Sequence, residues 1–374
     1  MLPRKPARRL TRPLSILFCA GLVLAAVAVL AAQQSVTVEE YDPKSMLVVP
    51  EHTVKCAKYP FIDVHNHQRD VSQGHIEQLL RAMDSLNMRY LIDSPVMNGS
   101  GDFVRRAVES FRQNGHGRFA VMTNIRFDHL DDPNYSQHAA EQLEADIRAG
   151  AIGLKVWRNF GEMEKDAKGR VHVDDPRFDA VWDICARNHV PVLIHTANPK
   201  AFWEPMDAHN ERWLELKLHK DRKPKPDDPT WEELIGEQHR LFEKHPGTQF
   251  IAAHMGWMAN DLGALGQLLD RLPNVYVEIG AISSELGRQP RTAHDFFVKY
   301  QDRVLFGKDA YSVPEYWTYF RLLETADEYF PPTRRYHGLW NLYGLDLPDS
   351  VLKKVYYQNA LRLFPTLDRK GFPD

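Results

Sequence analysis

Phe61-Ile62-Asp63-Val64-His65-Asn66-His67 is an apolar run that closes on two histidines two positions apart. In a β-strand the side chains at i and i+2 share a face, so these imidazoles stand about 7 Å apart at their Cα atoms. Two neutral ring nitrogens placed that way can converge on one metal ion, provided other strands bring further ligands. The meaning of the pair therefore depends on the polar residues that the later strands carry.

Seven more strand-like runs come after it, at residues 89–93, 119–125, 152–157, 190–196, 249–255, 274–279 and 304–309. Amphipathic, helix-like stretches separate them, among them residues 76–87, 103–114, 137–149, 178–188, 231–244 and 262–272. Helix-stopping residues precede several strands: Gly117, Gly150, Pro246-Gly247 and Pro273. Continuous apolar strands alternating with helices indicate a parallel sheet covered on both faces. Eight such repeats favour a closed (β/α)₈ TIM barrel. An open doubly wound sheet is the competing architecture, but no G-x-G-x-x-G follows the first strand. Two long connections, residues 199–230 and 314–348, follow the fifth and eighth strands. Their aromatic residues suit either surface decoration or the wall of a pocket.

Residues 1–13 carry Arg4, Lys5, Arg8, Arg9 and Arg12 with no acid, and an uncharged apolar run occupies residues 14–32. Residues 1–32 read as a secretory signal peptide or, uncleaved, as an N-terminal membrane anchor. Residues 33–58 read as a linker and 59–368 as the barrel domain. An extracytoplasmic location, secreted or periplasmic, is the corresponding expectation. The net charge of −3 argues against nucleic acid, and any membrane association is expected through the N-terminal segment alone. Assembly into a homo-oligomer is compatible with this reading. Beyond residue 32 only Cys56 and Cys185 remain, too few for a disulfide framework, and Cys185 reads as a buried free thiol.

The later strands supply the missing ligands. The fifth ends in His195, the sixth in His254 and the eighth in Asp309. In a closed barrel these side chains gather at one mouth with His65 and His67. Histidines and a carboxylate are the donor set of a catalytic divalent metal with an open position for water. Asp63, two residues before the pair, either ties strand-end backbone or supports a ligand.

I-D-x-H-x-H on the first strand, single histidines on the fifth and sixth, and F-G-x-D-A on the eighth resemble the amidohydrolase superfamily. The closing segment from Lys354 through Asn359 to Phe364 is similar to the terminal helix of its amidohydrolase-related branch. That branch contains α-amino-β-carboxymuconate-semialdehyde decarboxylase besides lactone and amide hydrolases. The resemblance spans residues 61–364 and implies a metal-dependent (β/α)₈ barrel. It implies that His65, His67, His195 and Asp309 hold one divalent ion, Zn²⁺. His254 would then act as a base beside the activated water, with Asp309 as a second proton carrier. Lys308 departs from the small or hydroxyl residue more usual before the aspartate, which bears on the geometry around Asp309.

Lys155 stands inside the apolar fourth strand and needs a partner. It could contact a substrate carboxylate, bridge two metals after carboxylation, or form a structural salt bridge. Arg126, Trp157, Arg158, Asn198, Trp257, Glu278 and Arg288 also follow strand ends and are weaker candidates for binding a small, carboxylate-bearing substrate. Hydrolysis of a C–O or C–N bond is the first functional expectation, and non-oxidative decarboxylation of an unsaturated or aromatic acid is the second. A binding protein with a vestigial site is the third.

Overall fold

Eight short parallel strands alternate with helices along the chain: β1 Phe61–Asn66, β2 Met88–Asp93, β3 Phe119–Asn124, β4 Gly153–Val156, β5 Val192–Ile194, β6 Phe250–Ala252, β7 Val275–Glu278 and β8 Val304–Leu305. The computed structural model describes residues 36–373. Each strand pairs with the next in sequence order. The last returns to the first: the Val64 N–H donates to the Phe306 carbonyl at 3.1 Å, and the Asp309 N–H to the His65 carbonyl at 2.6 Å. Asn66 and Asp309 form a parallel bridge there. The sheet is a closed TIM barrel, and it sets the C-terminal strand ends around one mouth.

The helices follow from their apolar spacing. In α1 (Gln73–Leu86) the buried residues are Ile76, Leu79, Met83 and Leu86, one stripe at helical period. Asn87 ends it at φ 64°, its N–H returning to the last-turn carbonyls. Further along come α2 (Asp102–Asn114), α3 (Tyr135–Ala149), α4 (Asp179–Arg187) and α5 (Trp231–Lys244), the last opened by a capping box of Thr230 and Glu233. The outer ring continues with α6 (Leu262–Arg271) and α7 (Pro290–Lys299).

The two long connections are more structured than their sequence suggests. The second contains α8 (Val313–Glu324), with Pro314 in its first turn. Tyr316, Tyr319 and Phe320 are buried rather than exposed as decoration. Tyr316 and Phe320 join Phe61, Phe306 and Tyr356 in a cluster with ring-centroid distances of 4.8 to 6.3 Å along the β8–β1 seam. In the first connection Phe202 is buried, and the Trp203 indole donates to the Pro229 carbonyl at 2.9 Å. Part of this aromatic content is core, while Trp203, Trp317, Trp340 and Tyr343 are half-buried and Tyr329 is exposed.

The closing helical stretch runs through Asp349–Lys353, a π turn at Lys354–Gln358, and Asn359–Leu363. The Val355 carbonyl in that turn accepts the Phe306 N–H at 2.9 Å. The wider turn thus gives a helix carbonyl to β8, which is where the barrel closes. The Asn359 amide donates to the carbonyls of Gln301 (2.7 Å) and Val304 (2.8 Å) on the same seam.

The compact unit carrying the barrel begins at Val49. His52 reaches Asp327 through its backbone N–H (2.7 Å) and its ring (2.5 Å), and Ala57 is buried with its N–H on the Leu86 carbonyl. At the other end Phe372 stacks on Tyr357 at 5.0 Å. The leader or anchor expected at residues 1–32 lies outside the described residues. No helix among the described residues is long and apolar enough to cross a membrane. Cys185 is a buried free thiol, and burial pushes its pKa up.

Candidate metal centre

His65 is the last but one residue of β1, and His67 stands just past its end. Their Nε2 atoms lie 3.2 Å apart. Asp309 follows β8 at φ 71°, and its Oδ1 lies 3.0 Å from His67 Nε2 and 3.6 Å from His65 Nε2. The other ring nitrogens are occupied: His65 Nδ1 is 3.0 Å from Glu278 Oε1, and His67 Nδ1 meets the Ser94 carbonyl. Both partners only accept, so each Nδ1 can donate to them, and with the hydrogen there a neutral ring keeps its Nε2 lone pair for a metal. Two imidazole lone pairs and a carboxylate can then face one point, which suits a cation, and the Lys155 ammonium stands 2.9 Å from the His65 lone pair. Burial and the adjacent Lys155 ammonium hold His65 down to about 3, so it is neutral and ready to ligate.

β6 stops at Ala252, three residues short of the expected strand, because His254, Met255, Gly256 and Trp257 all adopt positive φ (58°, 53°, 60° and 54°). Non-glycine residues held this way cost roughly 1–3 kcal/mol each and persist only where the surroundings demand them. The turn brings the Trp257 ring to 4.5 Å from that of His254, which itself lies 5.1 Å from His65 and 4.5 Å from His195. His254 Nδ1 donates to the Gly280 carbonyl at 2.8 Å, leaving Nε2 as its free basic site. One ligand atom each of His65, His254 and Asp309 lies within 4.8 Å of the others.

His195 follows β5, and its Nε2 lies 2.9 Å from the Ala197 carbonyl and 3.2 Å from the Trp257 indole nitrogen. The two contacts belong to different tautomers: with Nε2–H donating to Ala197, Nδ1 keeps the lone pair that a metal needs, whereas accepting the Trp257 indole N–H at Nε2 puts the hydrogen on Nδ1. Burial, and then the neighbouring His254, hold its pKa well below the usual histidine value.

Lys155, 1% exposed on β4, sends Nζ to 2.9 Å from His65 Nε2. Burial lowers it to about 8, against the pull of Asp309 and Glu278. It also stands at the edge of a cleft of ≈ 470 Å³ formed at the ends of β2, β3 and β4, with Arg106, Asn124, Arg126 and Trp157 on its walls. That volume suits a small-molecule ligand.

The amidohydrolase family matches residues 62–366, most of the chain. The chain belongs to the amidohydrolase family. A search of curated proteins finds no match. Among solved structures, an uncharacterised TIM-barrel protein of Bordetella bronchiseptica is similar at 14% identity and TM-score 0.50, covering 82% of this chain and 98% of its own. The 4-oxalomesaconate hydratase of Rhodopseudomonas palustris (12% identity, TM-score 0.47) covers 82% and 95%. A zinc-bound amidohydrolase of Burkholderia multivorans (15% identity, TM-score 0.45) covers 82% and 99%. At these identities the likeness concerns the fold.

Several residues of this amidohydrolase lie elsewhere than substrate contact would suggest. Glu278 is fully buried beneath His65, with no face toward the cleft's lining. Arg288 pairs with Glu211 at 2.7 and 2.9 Å and lies 4.3 Å over the Trp340 ring. Arg158 binds Glu162 at 2.5 Å, and the Asn198 carbonyl accepts the Trp231 indole at 3.2 Å. Asp63 binds the backbone N–H of His65 (3.2 Å) and Lys308 (3.0 Å), the Asn66 amide and the Tyr316 hydroxyl, so it ties strand ends together. The Lys308 side chain turns to Glu315 and the Ala310 carbonyl while its backbone stays on β1, so the departure leaves Asp309 bridged as in a regular barrel. Asn124 ends β3 as a polar residue after an apolar run, a signal the other strand ends also gave. Arg106 projects from α2, where helix periodicity alone does not single it out.

Proposed function

We propose that the protein is a metal-dependent hydrolase that cleaves a C–O or C–N bond of a small carboxylate-bearing molecule with one zinc ion, outside the cytoplasm. The observation carrying this is the convergence of the His65 and His67 lone pairs on Asp309, within 3.6 Å, beside a cleft that Lys155 reaches. His65, His67, His195 and Asp309 would hold the ion, which when bound supplies a Lewis acid and brings the pKa of a water toward neutrality. His254 takes up a proton at Nε2, the nitrogen its bond to Gly280 leaves free. Lys155, with Arg106 and Arg126 on the cleft wall, offers positive charge to a substrate carboxylate.

Decarboxylation is the second reading, favoured by the 2.9 Å between Lys155 Nζ and His65 Nε2, which would set a bound carboxylate directly beside the ligands. A screen of lactones, amides and aromatic acids with the zinc-loaded protein in ¹⁸O-water tests both. One ¹⁸O in the product marks hydrolysis, and CO₂ released without it marks decarboxylation. Protein that takes up no divalent metal and turns over nothing would leave a binding protein with a vestigial site.

A further inference from the structure

Glu278 ends β7, is 0% exposed, and has both oxygens engaged. Its Oε1 accepts from His65 Nδ1 at 3.0 Å and from the backbone N–H of His254 at 2.6 Å, and its Oε2 accepts the Gly280 N–H at 2.6 Å. A single carboxylate therefore joins β1 to the left-handed turn after β6. We infer that Glu278 is the positioning residue of this centre: it fixes the His65 hydrogen on Nδ1, so that Nε2 points its lone pair at the metal, and it pins the strained turn that carries His254.

Two glycines around it make sense on the same ground. A Cβ at Gly307 would run into Glu278 Oε2 and come within 2.9 Å of His65 Cβ, and one at Gly280 would lie 2.8 Å from Oε2. Neither glycine has a positive φ, so both are there for close approach to the carboxylate rather than for backbone freedom. All three donors require an acceptor. A glutamine would turn its NH₂ against at least one of them, whichever way the amide is flipped.

The inference rests on the metal reading above, and the test separates the two. Metal-free wild type, Glu278→Gln and Glu278→Asp are titrated with Zn²⁺ against a chromophoric chelator, and the visible bands of their Co²⁺ forms are recorded. Far-UV circular dichroism checks that each variant folds. Glu278→Gln should bind Zn²⁺ about 10–100-fold more weakly, the usual cost of losing an outer partner of a metal ligand, and shift the Co²⁺ bands. Glu278→Asp stops one methylene short of His65, so weaker binding with shifted bands is expected there too, and it carries the test if the glutamine variant does not fold. Folded variants with wild-type affinity and wild-type Co²⁺ bands, whatever their melting temperature, would overturn the proposal. Wild type that binds no metal would instead sink the metal reading.

Discussion

Lys155 and Lys308 both stand at the C-terminal ends of barrel strands, and both are all but fully buried, at 1% and 2% exposure. Their partners differ. Lys308 Nζ is absorbed by Glu315, which Arg334 also binds, and by the Ala310 carbonyl at 2.9 Å. Lys155 Nζ meets a ring nitrogen of a candidate ligand at 2.9 Å and borders the cleft. A buried ammonium neutralised by its own loop stabilises that loop. One left beside a convergent metal site keeps charge available for the chemistry. Asp93 is the third case: fully buried, with Oδ2 lacking a hydrogen-bond partner among the described residues.

The largest effect should come from removing the candidate metal ligands beside Lys155. His67→Ala or His195→Ala should strip the metal and lose more activity than the roughly 10–100-fold expected of an outer partner, with the barrel still folded. Elemental analysis beside circular dichroism checks this, and full occupancy in either variant would take that residue off the ligand set. His254→Asn should keep the metal and lower kcat by about 10²–10⁴-fold, the size of a lost general acid–base contribution. Loss of metal in proportion to activity would instead make His254 a ligand.

The lysines themselves come next. Lys155→Met should lower kcat/KM for a carboxylate substrate by about 10–100-fold, as for a lost charged hydrogen bond, without lowering Tm. Lys308→Met should do the reverse, costing about 1–3 kcal/mol of stability through the loss of the partner of Glu315 Oε2, with Arg334 still on Oε1, while kcat/KM holds. Equal effects of the two substitutions on activity would break the comparison. Two metals per chain in the wild type would recast Lys155 as a carboxylated bridge.

The smallest effect is a pH slope. Burial raises Asp93 to about 7 from an ordinary 3.8. Between those values the folded state holds a proton that the unfolded state has released, so this group lowers stability as pH rises through the window. Asp93→Asn, which keeps the oxygen accepting the Gln68 N–H at 2.9 Å, should match wild type below pH 4 and gain on it up to pH 7. Denaturant midpoints at both ends measure it, and a constant difference would mean Asp93 ionises normally.

Much of the barrel was legible because a parallel strand buried on both faces leaves an unbroken apolar run, and Gly or Pro marks where several of the helices give way. The strand ends were less so. The run through residues 249–255 stays apolar past Ala252, yet the chain turns there, since the acceptor for the His254 N–H sits on Glu278, 24 residues away. The aromatics of residues 314–348 looked the same in sequence whether bound for a pocket or a core, and α8 carried Tyr316, Tyr319 and Phe320 into the core.

The sequence by itself determined the fold class and which residue types gather at the mouth, because strand periodicity and order are local and survive without partners. Only the tertiary structure decided what each polar group does there. It divided Lys155 from Lys308, placed Glu278 under His65 rather than in the cleft, and gave Asp63 to the strand seam. A buried polar side chain takes its role from the donors and acceptors it meets, and those come from strands far apart in the chain.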